Sequence, residues 1–137
     1  MPDSTLPLVH SCSGCSNVTQ LANTLALHLD RQGLAEMSCI AGVGGQVPAL
    51  VSKACSGWRI LALDGCPLAC VKGCLAQHQI APNLHLILSE SGLRKRYGED
   101  CSQAQQEALF VHIHAQMAEL MPLPLASPRG HKCASNA

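Results

Sequence analysis

Nine cysteines in 137 residues make thiol chemistry the first question this chain poses. Six of them fall in three groups. Cys12-Ser13-Gly14-Cys15 is a C-x-x-C, a spacing used both by metal half-sites and by thioredoxin-like redox pairs. Cys39 precedes the glycine-rich Gly42-Val43-Gly44-Gly45. The densest group is Asp64-Gly65-Cys66-Pro67-Leu68-Ala69-Cys70-Val71-Lys72-Gly73-Cys74. A thiolate is both a soft-metal ligand and a nucleophile, so these groups point to metal binding or thiol chemistry. Gly65 permits a sharp turn and Pro67 suits a first helical position, which places Cys66 at a helix N-terminus, where a thiolate is stabilised. Cys70, one turn on, leans back toward Cys66, and the two can share one ion. Cys74 would lie about 12 Å from Cys66 along a helix. Two sulfurs on one zinc are only about 4 Å apart, so Cys74 reads as a small apolar helix residue or as a ligand at the edge of a larger cluster. Cys55, Cys101 and Cys133 read as packing or incidental thiols.

The elements that must position these thiols follow from periodicity. Leu6–Cys12, Glu36–Ala41, Trp58–Leu63 and Asn83–Leu88 read as strands. Val18, Leu21, Ala22, Leu25 and Leu29 mark a helix, capped by Ser16 or Asn17 and ended by Gly33. A short helix is expected over Val47–Ala54, another from Pro67 to about Gln79, and a last one over about Ser102–Met121. The order βαβαβαβα predicts an α/β fold: a small open parallel sheet of about four strands with helices on both faces. Ligands of such sheets sit outside the carboxyl ends of the strands. Cys12, Cys15, Cys39 and Cys66 all fall there, on three separate strand ends. Convergence on one site explains this placement, with buried structural thiols as the plainer alternative. Residues 6–121 read as one domain. The segment from Pro122, with three prolines and no apolar periodicity, reads as a disordered tail.

Composition removes several function classes. Nine Lys/Arg balance nine Asp/Glu, so no basic excess exists to hold a phosphate backbone or an anionic membrane. Aromatics are 2%, too few for a base-stacking surface. No apolar run reaches membrane-spanning length, and the N-terminus lacks a basic region followed by an apolar one. A cytoplasmic protein with reduced thiols is therefore expected. A protein partner stays open. None of the seven histidines has ligand spacing, and GVGG lacks the remainder of a phosphate-binding loop. Arg94-Lys95-Arg96 reads as a solvated loop.

Taken in order, Cys12-Ser13-Gly14-Cys15-Ser16-Asn17, Gln20-Leu21-Ala22-Asn23, Met37-Ser38-Cys39-Ile40-Ala41-Gly42-Val43-Gly44-Gly45 and Asp64-Gly65-Cys66-Pro67-Leu68-Ala69-Cys70 resemble the DGC-domain family. These are small bacterial and archaeal proteins for which zinc binding has been proposed from their cysteines. The resemblance covers about residues 8 to 95. It implies a zinc site at Cys12, Cys39, Cys66 and Cys70 and no established reaction. Cys15 and Cys74 are additional candidates, at positions where the family often lacks a cysteine. Three functions remain in play: a zinc-thiolate protein, an iron–sulfur electron-transfer or sensor protein, and a thiol-redox enzyme using Cys12/Cys15 or Cys66.

Overall fold

The computed structural model describes residues 6–121. The expectation of a disordered tail over 122–137, and Cys133 with it, lies outside the described residues. Four parallel strands form one sheet: β1 (Leu8–Ser11), β2 (Glu36–Met37), β3 (Ile60–Asp64) and β4 (Leu84–Ile87). Their spatial order is β2-β1-β3-β4. Leu8 pairs with Glu36 on one side and Ile60 on the other, and Leu61 pairs with Leu84. The two central strands are buried throughout, as expected of a parallel sheet covered on both faces, although β1 carries His10 and Ser11 and β3 ends in Asp64.

Helix α1 (Asn17–Arg31) packs on β1, β2 and β3 and touches α5 (Gln103–Leu120). Its buried stripe is the one the periodicity predicts: Val18, Leu21, Ala22, Leu25 and Leu29. Ser16 caps it by accepting from the Thr19 N–H, and Gly33 follows its end in a left-handed conformation, φ +73°. Ser102 and Gln105 form a reciprocal capping box on α5, whose Leu109, Ile113 and Met117 enter the core. The other layer consists of α2 (Ile40–Gly44), α3 (Pro48–Ala54) and α4 (Cys70–Ala76), with α2 touching both α3 and α4. Among the described residues, no helix is long and apolar enough to cross a membrane.

Two expectations about the elements change. The second strand ends at Met37, and Ile40-Ala41-Gly42-Val43-Gly44 is a helix rather than strand end and turn. The glycines are there for close packing. A Cβ on Gly42 would fall on the Leu50 side chain, and one on Gly44 would lie 2.8 Å from Cys74 Sγ. The third crossover also differs. Pro67 and Leu68 form a turn, Ala69 is left-handed at φ 53°, and α4 starts only at Cys70. Cys66 therefore sits in the loop, not at a helix N-terminus. The reason is Asp64. Its buried carboxylate accepts from the N–H of Val71 at 2.8 Å and of Lys72 at 3.4 Å, so it caps a helix that begins later than Pro67 implies.

Candidate functional site

The strand order places the topological switch point between β1 and β3: the chain leaves β1 toward β2 on one side and leaves β3 toward β4 on the other. In open α/β sheets this crevice is where ligands bind. The loops flanking it carry Cys12 and Cys66, both buried. Gly65 is what brings them together. A Cβ at this position would lie 2.6–2.7 Å from the backbone of Val18 and Thr19, so only glycine lets the β3 loop rest on the first turn of α1. At this contact the Gly65 N–H donates to Cys12 Sγ at 3.2 Å.

Cys66 and Cys70 stand close enough for their charges to act on Cys12. Burial pushes the Cys12 thiol up to about 11; the Gly65 N–H opposes this, and the charges of Asp64, Cys70 and Cys66 add to it. Cys12 is thus a protonated thiol at neutral pH, an unfavourable nucleophile for the Cys12/Cys15 redox alternative. Cys70 is exposed at the first position of α4. Cys74 is half-buried against Gly44, and burial raises its thiol, with Cys70 and Asp64 contributing. Cys15 is exposed in the loop before α1. Cys39 caps α2 without a side-chain bond and lines a separate groove, beside Ser11, Ser13 and α1. Cys101 is buried and directs its Sγ at the Asn17 carbonyl, 3.7 Å away. Cys55 lies away from this edge, with Trp58 and Asn83, and is disulfide-bonded rather than the free packing thiol expected.

Two partners of the site, Lys95 and His85, gave no sequence signal of their own, and Asn17, legible only as a candidate cap and motif residue, proves to anchor a loop. Lys95, in the expected solvated loop, places Nζ 3.5 Å from Cys66 Sγ and 5.4 Å from the Tyr97 ring centre. Hydrogen bonds to Tyr97 and then to Cys66 hold its ammonium above the usual lysine value. The loop is a strap over the start of α1, fastened by Asn17. The Asn17 amide donates to the Arg94 carbonyl at 3.0 Å and accepts from the Arg96 N–H at 2.7 Å, while its backbone N–H donates to the Arg96 carbonyl at 2.9 Å. His85 supports Asp64 from β4 through an Nε2–Oδ2 contact of 2.8 Å. Composition cannot reveal such pairings, because the partners are far apart in the chain.

Soft thiol donors at the switch point suit a thiophilic metal by their chemistry. As they stand they form an open cluster: among the described residues, no three Cys, His, Asp or Glu side chains are grouped closely enough to hold an ion. A metal would have to draw them together.

The fold and site define a class: a small doubly wound α/β domain with cysteines gathered at its switch point. The chain belongs to the DGC domain family, whose sequence profile matches residues 8–113. It is 70% identical over 112 residues, 82% of this chain and 86% of the relative, to the anaerobic and virulence modulator AnvM of Pseudomonas aeruginosa. No solved structure matches it.

Proposed function

We propose that this chain is a cytoplasmic regulatory domain that binds zinc through the thiolates of Cys12, Cys66 and Cys70. The observation that carries this reading is the meeting of Cys12 with the Cys66–Cys70 loop at the switch point, across the contact that Gly65 permits. Zinc would supply a fixed, redox-inert charge that keeps the thiols deprotonated. Binding then releases the Cys12 proton, whose thiol is held up at about 11 without metal. Cys70, exposed on the far side of the left-handed Ala69, is the thiol free to swing inward. Three thiolates leave a fourth position for an outside ligand, and Cys39 is the candidate for it that the family resemblance names. The name of the Pseudomonas relative, a modulator of anaerobic and virulence functions, supports a regulatory rather than a metabolic role.

That same name favours a second reading, an oxygen-sensitive iron–sulfur cluster, in which Cys15 and Cys74 would join the ligands. Purification without oxygen, elemental analysis and an absorption spectrum separate the two. A colourless protein with about one zinc per chain supports the first. A brown protein with iron and sulfide supports the second. Folded protein that takes up neither Zn²⁺ nor iron and sulfide overturns both. Within the zinc reading, Cys12→Ser, Cys66→Ser and Cys70→Ser each lose the metal, and Cys74→Ser and Cys101→Ser keep it. A loss in Cys39→Ser as complete as in Cys66→Ser makes Cys39 the fourth ligand.

A further inference from the structure

A groove of about 400 Å³ opens beside the switch point, between the carboxyl ends of β1 and β2 and the flank of α1. It shares no thiol with the Cys12–Cys66–Cys70 cluster. The exposed thiol of Cys39 stands in it, with Met37 contributing apolar wall and Asn23 an amide. Ser11 also lines it, and the Ser11 hydroxyl is buried with no hydrogen-bond partner among the described residues. A buried hydroxyl left unpaired costs free energy unless something occupies the space beside it. The groove also includes Asp30 and Arg31. Arg31 Nη1 meets Asp30 Oδ1 at 2.8 Å, and most of the Arg31 side chain remains exposed, leaving guanidinium donors for a carboxylate. Asp30 is held below the usual carboxylate range, first by the Met37 N–H, and so stays anionic and able to face an ammonium group.

We propose that this groove binds a low-molecular-weight thiol bearing carboxylate and ammonium groups, of the glutathione class, and holds it on Cys39 as a mixed disulfide. The groups match in kind: sulfur to Cys39, amide or carbonyl to Ser11 and Asn23, charged ends to Arg31 and Asp30. The volume is within the range of small-molecule sites. The reaction is thiol–disulfide exchange with the oxidised, disulfide form of the small thiol. The Cys39 thiolate attacks one sulfur, the small molecule's S–S bond breaks, and a Cys39 S–S bond forms. The second half departs as a thiolate and takes up the proton that Cys39 lost. One disulfide is consumed and one is formed, so no further oxidant is needed. The inference uses none of the three proposed ligands, and it assigns Cys39 to this groove rather than to the fourth metal position.

The test exposes the reduced full-length chain to oxidised glutathione and maps the adducts by peptide mass spectrometry, with Cys15 and Cys70 as exposed internal controls. Cys39 is expected to be modified about tenfold faster than either, the equivalent of one well-placed polar recognition. Cystamine, a disulfide without carboxylates, should show no such preference. Ser11→Ala and Arg31→Gln should each slow glutathionylation of Cys39 several-fold and leave its alkylation by iodoacetamide unchanged. Equal rates at the three thiols, a preference that cystamine shares, or full rates in both variants would overturn the proposal.

Discussion

Gly65 is the residue on which the site's geometry turns. Gly65→Ala forces a methyl into the backbone of Val18 and Thr19, where no flexible side-chain end can yield. Overpacking of this kind costs about 2 kcal/mol, measurable as a lower denaturation midpoint. It also withdraws the N–H from Cys12, so metal uptake should fall even in protein that remains folded. Gly73→Ala is the matched control, since a Cβ there meets nothing within 4 Å. Thiol reactivity gives a second check at this scale. Iodoacetamide should label the exposed Cys15, Cys39 and Cys70 well before Cys12, which burial keeps protonated.

Two elements depend on single polar side chains. Helix α4 is only seven residues long, and its start is set by the buried Asp64 carboxylate. Asp64→Ala leaves the Val71 N–H unpaired beside the core and removes the partner of His85, a loss of about 3 kcal/mol. Asp64→Asn should recover part of it by keeping an acceptor oxygen. The strap that carries Lys95 depends on Asn17. Asn17→Ala cuts the side-chain bonds to Arg94 and Arg96 and should cost about 2 kcal/mol. Hydrogen exchange should then rise over the strap, at Arg96 first, and Cys66 should become easier to alkylate as Lys95 moves away. If Cys66 reactivity stays unchanged while the strap exchanges freely, Lys95 does not cover that thiol.

The stability of the whole molecule carries a pH signature set by His10. This imidazole is fully buried on β1, and neither ring nitrogen has a hydrogen-bond partner among the described residues. Burial, with the Lys53 charge adding to it, lowers its pKa from 6.5 to about 4. The unfolded chain therefore binds a proton more readily than the folded one between these values. The associated stability is complete above pH 6.5 and drains away as pH falls toward 4, by up to about 3 kcal/mol. Chemical denaturation of chelator-treated protein at pH 7 and pH 4.5 should show this slope, and His10→Leu should flatten it. Metal acts at the same scale. An ion bound only by the folded state stabilises it by mass action, so adding excess zinc should raise Tm and a chelator should lower it.

The alternation of elements was legible because it depends on local patterns: a helical stripe from Val18 to Leu29, a Ser16 cap, and an apolar run through β3 that admits only burial. The placement of cysteines at strand ends was legible for the same reason, since it follows from position along the chain. Where local signals competed, the reading erred. Pro67 is a good first helical residue, yet the Asp64 carboxylate at the end of β3 starts the helix at Cys70. Gly42–Gly45 looks like a turn, but much of it is helix, because α3 and α4 press against glycines that have no side chain to obstruct them. Strand order, and with it the switch point, belongs to the tertiary structure: right-handed crossovers permit several orders for one alternation. So does the division of the thiols, with Cys12, Cys66 and Cys70 at one crevice and Cys39 in the groove beside it. The sequence by itself determined which residues can do chemistry and at which edge of the sheet. Which of them face one another was decided by long-range packing, through contacts such as Gly65 on Val18 and Lys95 on Cys66 that no local pattern encodes.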